Sequence, residues 1–222
     1  MRALVLGSTG VVGDAIVREA LADRRIEAVL AVGRRPLSHT HAKLQAIVHR
    51  DFSDLRPLAP VLAEVDVVLC ALGISWYQAS SEAEYRTITH DFVLAFATAA
   101  ALASPGVRFG FVSGHGASLT SSQAWARIKA ETERDLLATF GSRLTVFRPG
   151  YIHPVHGRES VYWGDVVMRP FMPLRSLLRT WITDSRQVAR AMLYVSTGGT
   201  VPSPADNREI IAAATAYANR PR

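Results

Sequence analysis

The chain has 222 residues, 49% of them apolar and 20% charged, a length and balance that support a sizeable core without staples. Its single cysteine, Cys70, excludes an intramolecular disulfide and a cysteine-cluster metal site, and no metal is expected. The formal charge of +6 does not imply nucleic acid, because the arginines are dispersed, with no dense Lys/Arg block and no aromatic-basic reading motif.

The first element is Leu4-Val5-Leu6-Gly7-Ser8-Thr9-Gly10-Val11-Val12-Gly13, an apolar strand that ends in a Gly-x-x-Gly-x-x-Gly turn and enters a helix. Glycines let such a turn tighten and let backbone N–H groups approach a pyrophosphate, while the helix points its positive end at the same anion. Placement directly after a strand is the context this dinucleotide fingerprint requires. Val12, Ile16, Ala20 and Leu21 then recur at helical spacing. Ala28 to Gly33 reads as a second strand, Leu44 to His49 as a third, and Val65 to Leu72 as a fourth. The fourth is continuously apolar, as in a parallel sheet covered on both faces, and Cys70 within it reads as an inert core thiol. Asp91 to Ala103 is an alanine-rich helix closed by Ser104-Pro105-Gly106, and Val107 to Ser113 is a fifth strand. Ile128, Thr132, Leu136 and Phe140 mark one helix face ending near Gly141, before a sixth strand from Leu144 to Phe147.

This alternation predicts an α/β doubly wound parallel sheet, a Rossmann fold, spanning residues 1–222 as one domain. Ligand is expected at the carboxyl ends of the strands, where residues 7–13, 33–35, 51–52, 70–76, 113–117 and 148–153 converge. The segment 151–183, with Pro154, Pro170 and Pro173, reads as a small lid over that cleft. Its arginines Arg169, Arg175 and Arg179 alternate with Trp163, Phe171, Leu174, Leu177, Leu178 and Trp181, which suits lid packing, an anionic substrate, a membrane surface or another subunit.

An NAD-preferring site places a carboxylate about 20 residues beyond the glycines, at the end of the second strand, to bond the ribose hydroxyls. Here that place reads Gly33-Arg34-Arg35. Guanidinium groups pair with a 2′-phosphate that a carboxylate would repel, so NADP(H) is the expected cofactor, with NAD as the alternative. Asp51 and Phe52 follow the third strand and would meet the adenine edge, unless Asp51 only caps the next turn. Ala71, Leu72 and Gly73 are small enough for the dinucleotide to lie against them.

Taken together, Gly7 to Gly13, Val32-Gly33-Arg34-Arg35, Cys70-Ala71-Leu72-Gly73, Phe111-Val112-Ser113 and Phe147-Arg148-Pro149-Gly150 resemble an atypical member of the short-chain dehydrogenase/reductase superfamily. The chain is similar to its NAD(P)H-binding, NmrA-like group and to compact relatives of nucleoside-diphosphate-sugar epimerases. Asp184 to Met192 looks like the late helix of that group. The resemblance implies cofactor contacts along Gly7, Ser8, Thr9, Gly10, Val11, Val12 and Gly13, at Ser113 and Lys129, and at Pro149, Gly150 and Tyr151. It also implies a catalytic Ser after the fifth strand with Tyr-x-x-x-Lys on the next helix, where tyrosine exchanges a proton and lysine lowers its pKa and holds the ribose.

Ser113 and Lys129 match that pattern, but Trp125 stands where the tyrosine belongs, and an indole has only an N–H donor. Three explanations are open. Another donor serves, such as His115, whose imidazole titrates near neutrality, or Tyr151 or His153. Alternatively the proton comes from water, or the protein binds dinucleotide without turnover and regulates a partner, as NmrA-like sensors do. The expectation is an NADP(H)-binding, oxidoreductase-like protein acting on a small molecule, with the sensor as alternative and an oligomer allowed. No apolar run is long enough for a membrane span, and a first strand at Ala3 leaves no room for a signal peptide, so a cytoplasmic location is expected.

Overall fold

The computed structural model describes residues 1–155 and 181–220. Strand β1 (Arg2–Leu6) has Ala3, Leu4, Val5 and Leu6 at 1% exposure or less, because helices cover both of its faces. It is flanked in parallel by β2 (Ala28–Gly33) and β4 (Val67–Cys70). With β3 (Leu44–Val48), β5 (Arg108–Val112) and β6 (Leu144–Phe147), it forms a six-stranded parallel sheet in the order β3-β2-β1-β4-β5-β6. The chain winds outward from β1 to β3, then returns past β1 to wind the other way. A crevice therefore opens at the carboxyl ends of β1 and β4, where loops leave in opposite directions.

Helices α1 (Val11–Ala22) and α6 (Ser185–Ser196) cover one face, packing Ala15, Ile16 and Val17 with Val188, Met192 and Leu193. On the other face, α4 (Phe92–Ala103) and α5 (Ala124–Phe140) bury Phe96, Ala97 and Leu136 against Phe109, Phe111 and Val68. The smaller α2 (Ala59–Leu62) and α3 (Glu82–Arg86) precede them, and a wide π-type turn over Thr87–Asp91 joins α3 to α4. At the end of α5, Gly141 adopts φ +53°, a conformation that closes a helix at little cost only without a side chain.

Several expected spans contract. The fourth apolar run pairs only over Val67–Cys70, because Asp66 turns to accept from the Arg2 N–H at 2.7 Å and the chain leaves the sheet soon after Cys70. Helix α7 (Asn207–Ala218) was not anticipated. A capping box between Asp206 and Glu209 starts it, and Ile210, Ala213, Ala214 and Tyr217 are its buried face. The lid segment is regular at both ends, where β7 (Tyr151–His153) pairs in parallel with β8 (Ile182–Asp184). The arginines and aromatics expected between 163 and 179 lie outside the described residues.

A cavity of about 540 Å³ lies at the opposite, amino ends of β4, β5 and β6. The two arginines lining it are committed to the fold. Arg108 donates to the Ser196 carbonyl at 2.8 Å, and Arg143 donates to the Val107 carbonyl at 2.8 Å.

Candidate functional site

The three glycines of the first turn have different duties. Gly7 adopts φ +78°, and a Cβ there would stand 2.5 Å from the Ala71 carbonyl oxygen and 2.8 Å from Leu72 N. A Cβ on Gly13 would fall 2.0 Å from the Gly7 carbonyl oxygen. These two glycines let the turn close on itself and on the end of β4. Gly10 differs. It is exposed and extended, with φ −85° and ψ 171°, and its only close neighbour is the Gly7 oxygen at 3.2 Å from a Cβ. Gly10 thus keeps open the space before the N-terminus of α1, where Val11, Val12 and Gly13 begin the helix. Ser8 is buried and Thr9 half-buried in the same turn.

The end of β2 adjoins this turn, since a Cβ on Gly33 would lie 3.8 Å from Ser8 Oγ. Arg34 and Arg35 leave from that point as exposed residues, and among the described residues no carboxylate is within ion-pair distance of either. Beyond β3, Asp51 accepts from Ser53 N at 2.9 Å and from its hydroxyl, and these bonds hold its carboxyl below the usual range. Asp51 therefore does cap its turn. Phe52 is corrected more firmly: it is 4% exposed, with its ring edge-on to Phe92 at 5.5 Å and Phe96 at 4.9 Å, so it packs the core rather than offering a face to a base.

Gly73 connects this half to the other. A Cβ there would lie 3.8 Å from Lys129 Nζ and 3.9 Å from Thr89 Oγ1. Lys129 donates to the Val112 carbonyl at 3.1 Å and lies 5.0 Å from the centre of the Phe111 ring. Burial pushes its ammonium down to about 8. Thr89, on the wide turn before α4, is fully buried and its hydroxyl has no partner. A buried, unsatisfied hydroxyl beside a lysine marks a polar niche. The next residue, His90, faces two carboxylates, Asp91 at 2.8 Å and Asp135 of α5 at 3.1 Å, and so fixes the turn against that helix.

Ser113 is buried at 7% exposure, with its N–H on the Phe147 carbonyl at 2.8 Å. Its hydroxyl donates to Glu133, which is itself ion-paired by Arg148 at 2.5 and 2.9 Å. Trp125 is a prop: its ring packs 3.7 Å from Cβ positions on both Gly114 and Gly116, and its N–H donates to Gln123. His115 donates its backbone N–H to the Pro149 carbonyl at 2.9 Å and stands exposed, ring edge-on to Trp181 at 5.1 Å. Gly150 is pinned by Asn207 at 3.0 Å, and the Tyr151 N–H by the Trp181 carbonyl at 2.9 Å. Residues 113–116, 149–151 and 181 therefore form one rim.

Sequence reasoning missed three residues here, Glu133, Arg148 and Thr89. Glu133 carried a usable signal, since it lies one helical turn beyond Lys129 on an otherwise apolar face. Among the described residues no cluster suits a metal ion, and no helix is long and apolar enough to cross a membrane. Cys70 is fully buried, and burial pushes its thiol up to about 12.

A model of the NAD dependent epimerase/dehydratase family matches residues 3–133, from β1 through Glu133. The chain belongs to that family. It is 34% identical over 177 residues to protein FMP52, mitochondrial, of Eremothecium gossypii, covering 76% of this chain and 78% of that one. It is 29% identical over 217 residues to protein HTATIP2 of Rattus norvegicus, covering 93% and 86%. Of solved structures, MoeE5 in complex with UDP-glucuronic acid and NAD superposes with a TM-score of 0.68 at 21% identity, covering 97% of this chain and 82% of that one. At that identity the likeness shows the shared Rossmann-type, short-chain dehydrogenase/reductase fold. The expected cytoplasmic location does not stand, because FMP52 relatives of this family member, including those of E. gossypii and Emericella nidulans, are named mitochondrial proteins.

Proposed function

We propose that this family member is an NADP(H)-binding oxidoreductase acting on a small molecule without a tyrosine acid. The observation that carries this reading is the pairing of an open glycine turn with two exposed guanidinium groups at the end of β2 that form no ion pair among the described residues. Backbone N–H groups from Gly7 to Gly13 would hold the pyrophosphate, and Arg34 and Arg35 the 2′-phosphate. Ala71 to Gly73 would lie along the dinucleotide, with Asp51 at its adenine end. Lys129 and the unpartnered Thr89 hydroxyl fit a ribose, which brings hydroxyls able to satisfy both. Pro149, Gly150 and Tyr151 would close the nicotinamide side. The nicotinamide, when bound, supplies or takes up the hydride. Ser113 would contact the reacting group of the substrate, and His115 is the exposed titratable side chain nearest to it in the chain. Residues 1–222 then act as one domain.

A second reading, a dinucleotide sensor that regulates a partner, has its own support. The Ser113 hydroxyl and the Trp125 N–H are bonded to other protein groups, and Lys129 gives one of its N–H groups to the Val112 carbonyl. NADPH consumption with a panel of aldehydes, ketones and quinones separates the two. Turnover that falls at least tenfold in Ser113→Ala supports the oxidoreductase. No turnover in a protein that still binds NADPH favours the sensor.

A further inference from the structure

We propose that Glu133 fixes the hydrogen-bonding polarity of Ser113, so that this site recognises a hydroxylic ligand in preference to the matching carbonyl compound. This rests on the reading above that Ser113 contacts the ligand's reacting group. Glu133 lies one turn beyond Lys129 on α5 and is 9% exposed. Its carboxylate accepts from Arg148 Nε at 2.9 and 3.2 Å and from a terminal guanidinium nitrogen at 2.5 Å. Ser113 Oγ lies within hydrogen-bonding distance of the same carboxylate. A carboxylate in an ion pair has only lone pairs to offer, so the shared proton is the serine's.

A hydroxyl has one proton. With that proton committed to Glu133, Ser113 presents only lone pairs to any other partner. The commitment is held from both sides: Ser113 N–H bonds the Phe147 carbonyl at 2.8 Å, and Arg148 N–H bonds the Ala205 carbonyl at 2.8 Å. Of the neighbouring donors, the Trp125 N–H is on Gln123, and the Lys129 ammonium gives one N–H to the Val112 carbonyl and faces Gly73 and Thr89, where the reading above assigns it to the ribose. A ligand carbonyl resting on Ser113 would set lone pair against lone pair, whereas a ligand hydroxyl would donate. A site built around one hydrogen bond rejects the analogue that cannot make it, and a hydrogen bond of ordinary strength corresponds to about a tenfold preference. Glu133 is thus a positioning residue, acting through Ser113.

Two measurements test this. In the cofactor-free protein, NMR of labelled serine reports the Ser113 hydroxyl proton. A slowly exchanging, downfield signal that vanishes in Ser113→Ala and moves upfield in Glu133→Gln is expected, and rapid exchange in the wild type overturns the assignment of polarity. Because no cofactor is present, a failure of NADPH binding would sink the preceding reading without touching this result. In the protein saturated with NADP⁺, ligand-observed NMR compares cyclohexanol with cyclohexanone and 1-phenylethanol with acetophenone. The alcohols should bind about tenfold more tightly, and the ratio should fall to near one in Ser113→Ala. Glu133→Gln should invert it, because the amide NH₂ can donate to Ser113 and release the serine proton. Should that variant not fold, Ser113→Ala decides alone. Equal binding in the wild type, a preference that survives Ser113→Ala, or no binding by either member of both pairs overturns the recognition proposed.

Discussion

At the scale of single residues, the proposed function turns on Trp125 and Lys129. Trp125 packs beneath Gly114 and Gly116, so it shapes the loop that carries Ser113, while its indole N–H is no acid at a useful pH. Trp125→Tyr brings a phenol to that place, and general acid catalysis is worth roughly 10²–10⁴-fold. NADPH-dependent reduction of the same carbonyl panel should rise about a hundredfold in this variant. A folded variant that binds NADPH with no gain would show that the missing acid is not what limits the wild type. Lys129 carries a pH signature. Its ordinary value of 10.5 is pushed by burial down to about 8 in the folded protein. Below about pH 8 the lysine is charged in both states and burial acts against the fold in full. Between about 8 and 10.5 the unfolded chain holds the proton that the folded chain has given up, so stability should rise with pH across that window. Urea titrations from pH 7 to 10.5 should show this rise in the wild type and a flattened profile in Lys129→Met.

At the scale of elements, the glycine turn and the last helix act at opposite ends of α1. Gly7→Ala and Gly13→Ala drive a methyl group into backbone, so each should destabilise the protein by about 3 kcal/mol or more in thermal melts. Gly10→Val brings its Cβ to 3.2 Å from one backbone atom, the Gly7 oxygen, on an extended backbone, and should lose only about 1 kcal/mol as a poorer helix cap while abolishing NADPH binding. Undiminished binding by folded Gly10→Val would contradict the cradle. Beyond α1, the fully buried Tyr217 of α7 donates to Asp23 at 2.6 Å, and Arg25 pairs with the same carboxylate at 2.7 Å. These partners hold the Asp23 carboxyl at about 2, against an ordinary 3.8. The stability they confer is present above about pH 4 and lost as pH falls toward 2. Tyr217→Phe should lower stability by about 1.5–3 kcal/mol at pH 7, with a smaller difference at pH 2.5.

At the scale of the whole molecule, the succession of six parallel strands was legible because each strand is an apolar run closed by glycine, proline or a charged turn. Ala28–Gly33 and Leu144–Phe147 keep the spans read from their residues alone. Helix α7 was less legible, because an alanine-rich stretch shows weak amphipathicity until its buried face is known. The wide turn at Thr89 leaves no pattern, since one extra residue in a helical turn changes spacing and not composition. Phe52 shows a limit of another kind: an aromatic after a strand reads equally as a base contact or as core, and packing against Phe96 decides it. Glu133, Ser113 and Arg148 come from three different elements, so their meeting needed the topology of β5, α5 and β6. What the topology brings to the crevice at β1, β2 and β4 is a glycine turn beside two exposed arginines, and cofactor choice is the direct test of that arrangement. Calorimetric titration with NADPH and NADH, on wild type and on Arg34→Ala combined with Arg35→Ala, measures it. NADPH should bind the wild type at least about tenfold more tightly than NADH, with that preference lost in the double variant. Equal affinities in the wild type, or a preference undiminished without both arginines, would contradict the account.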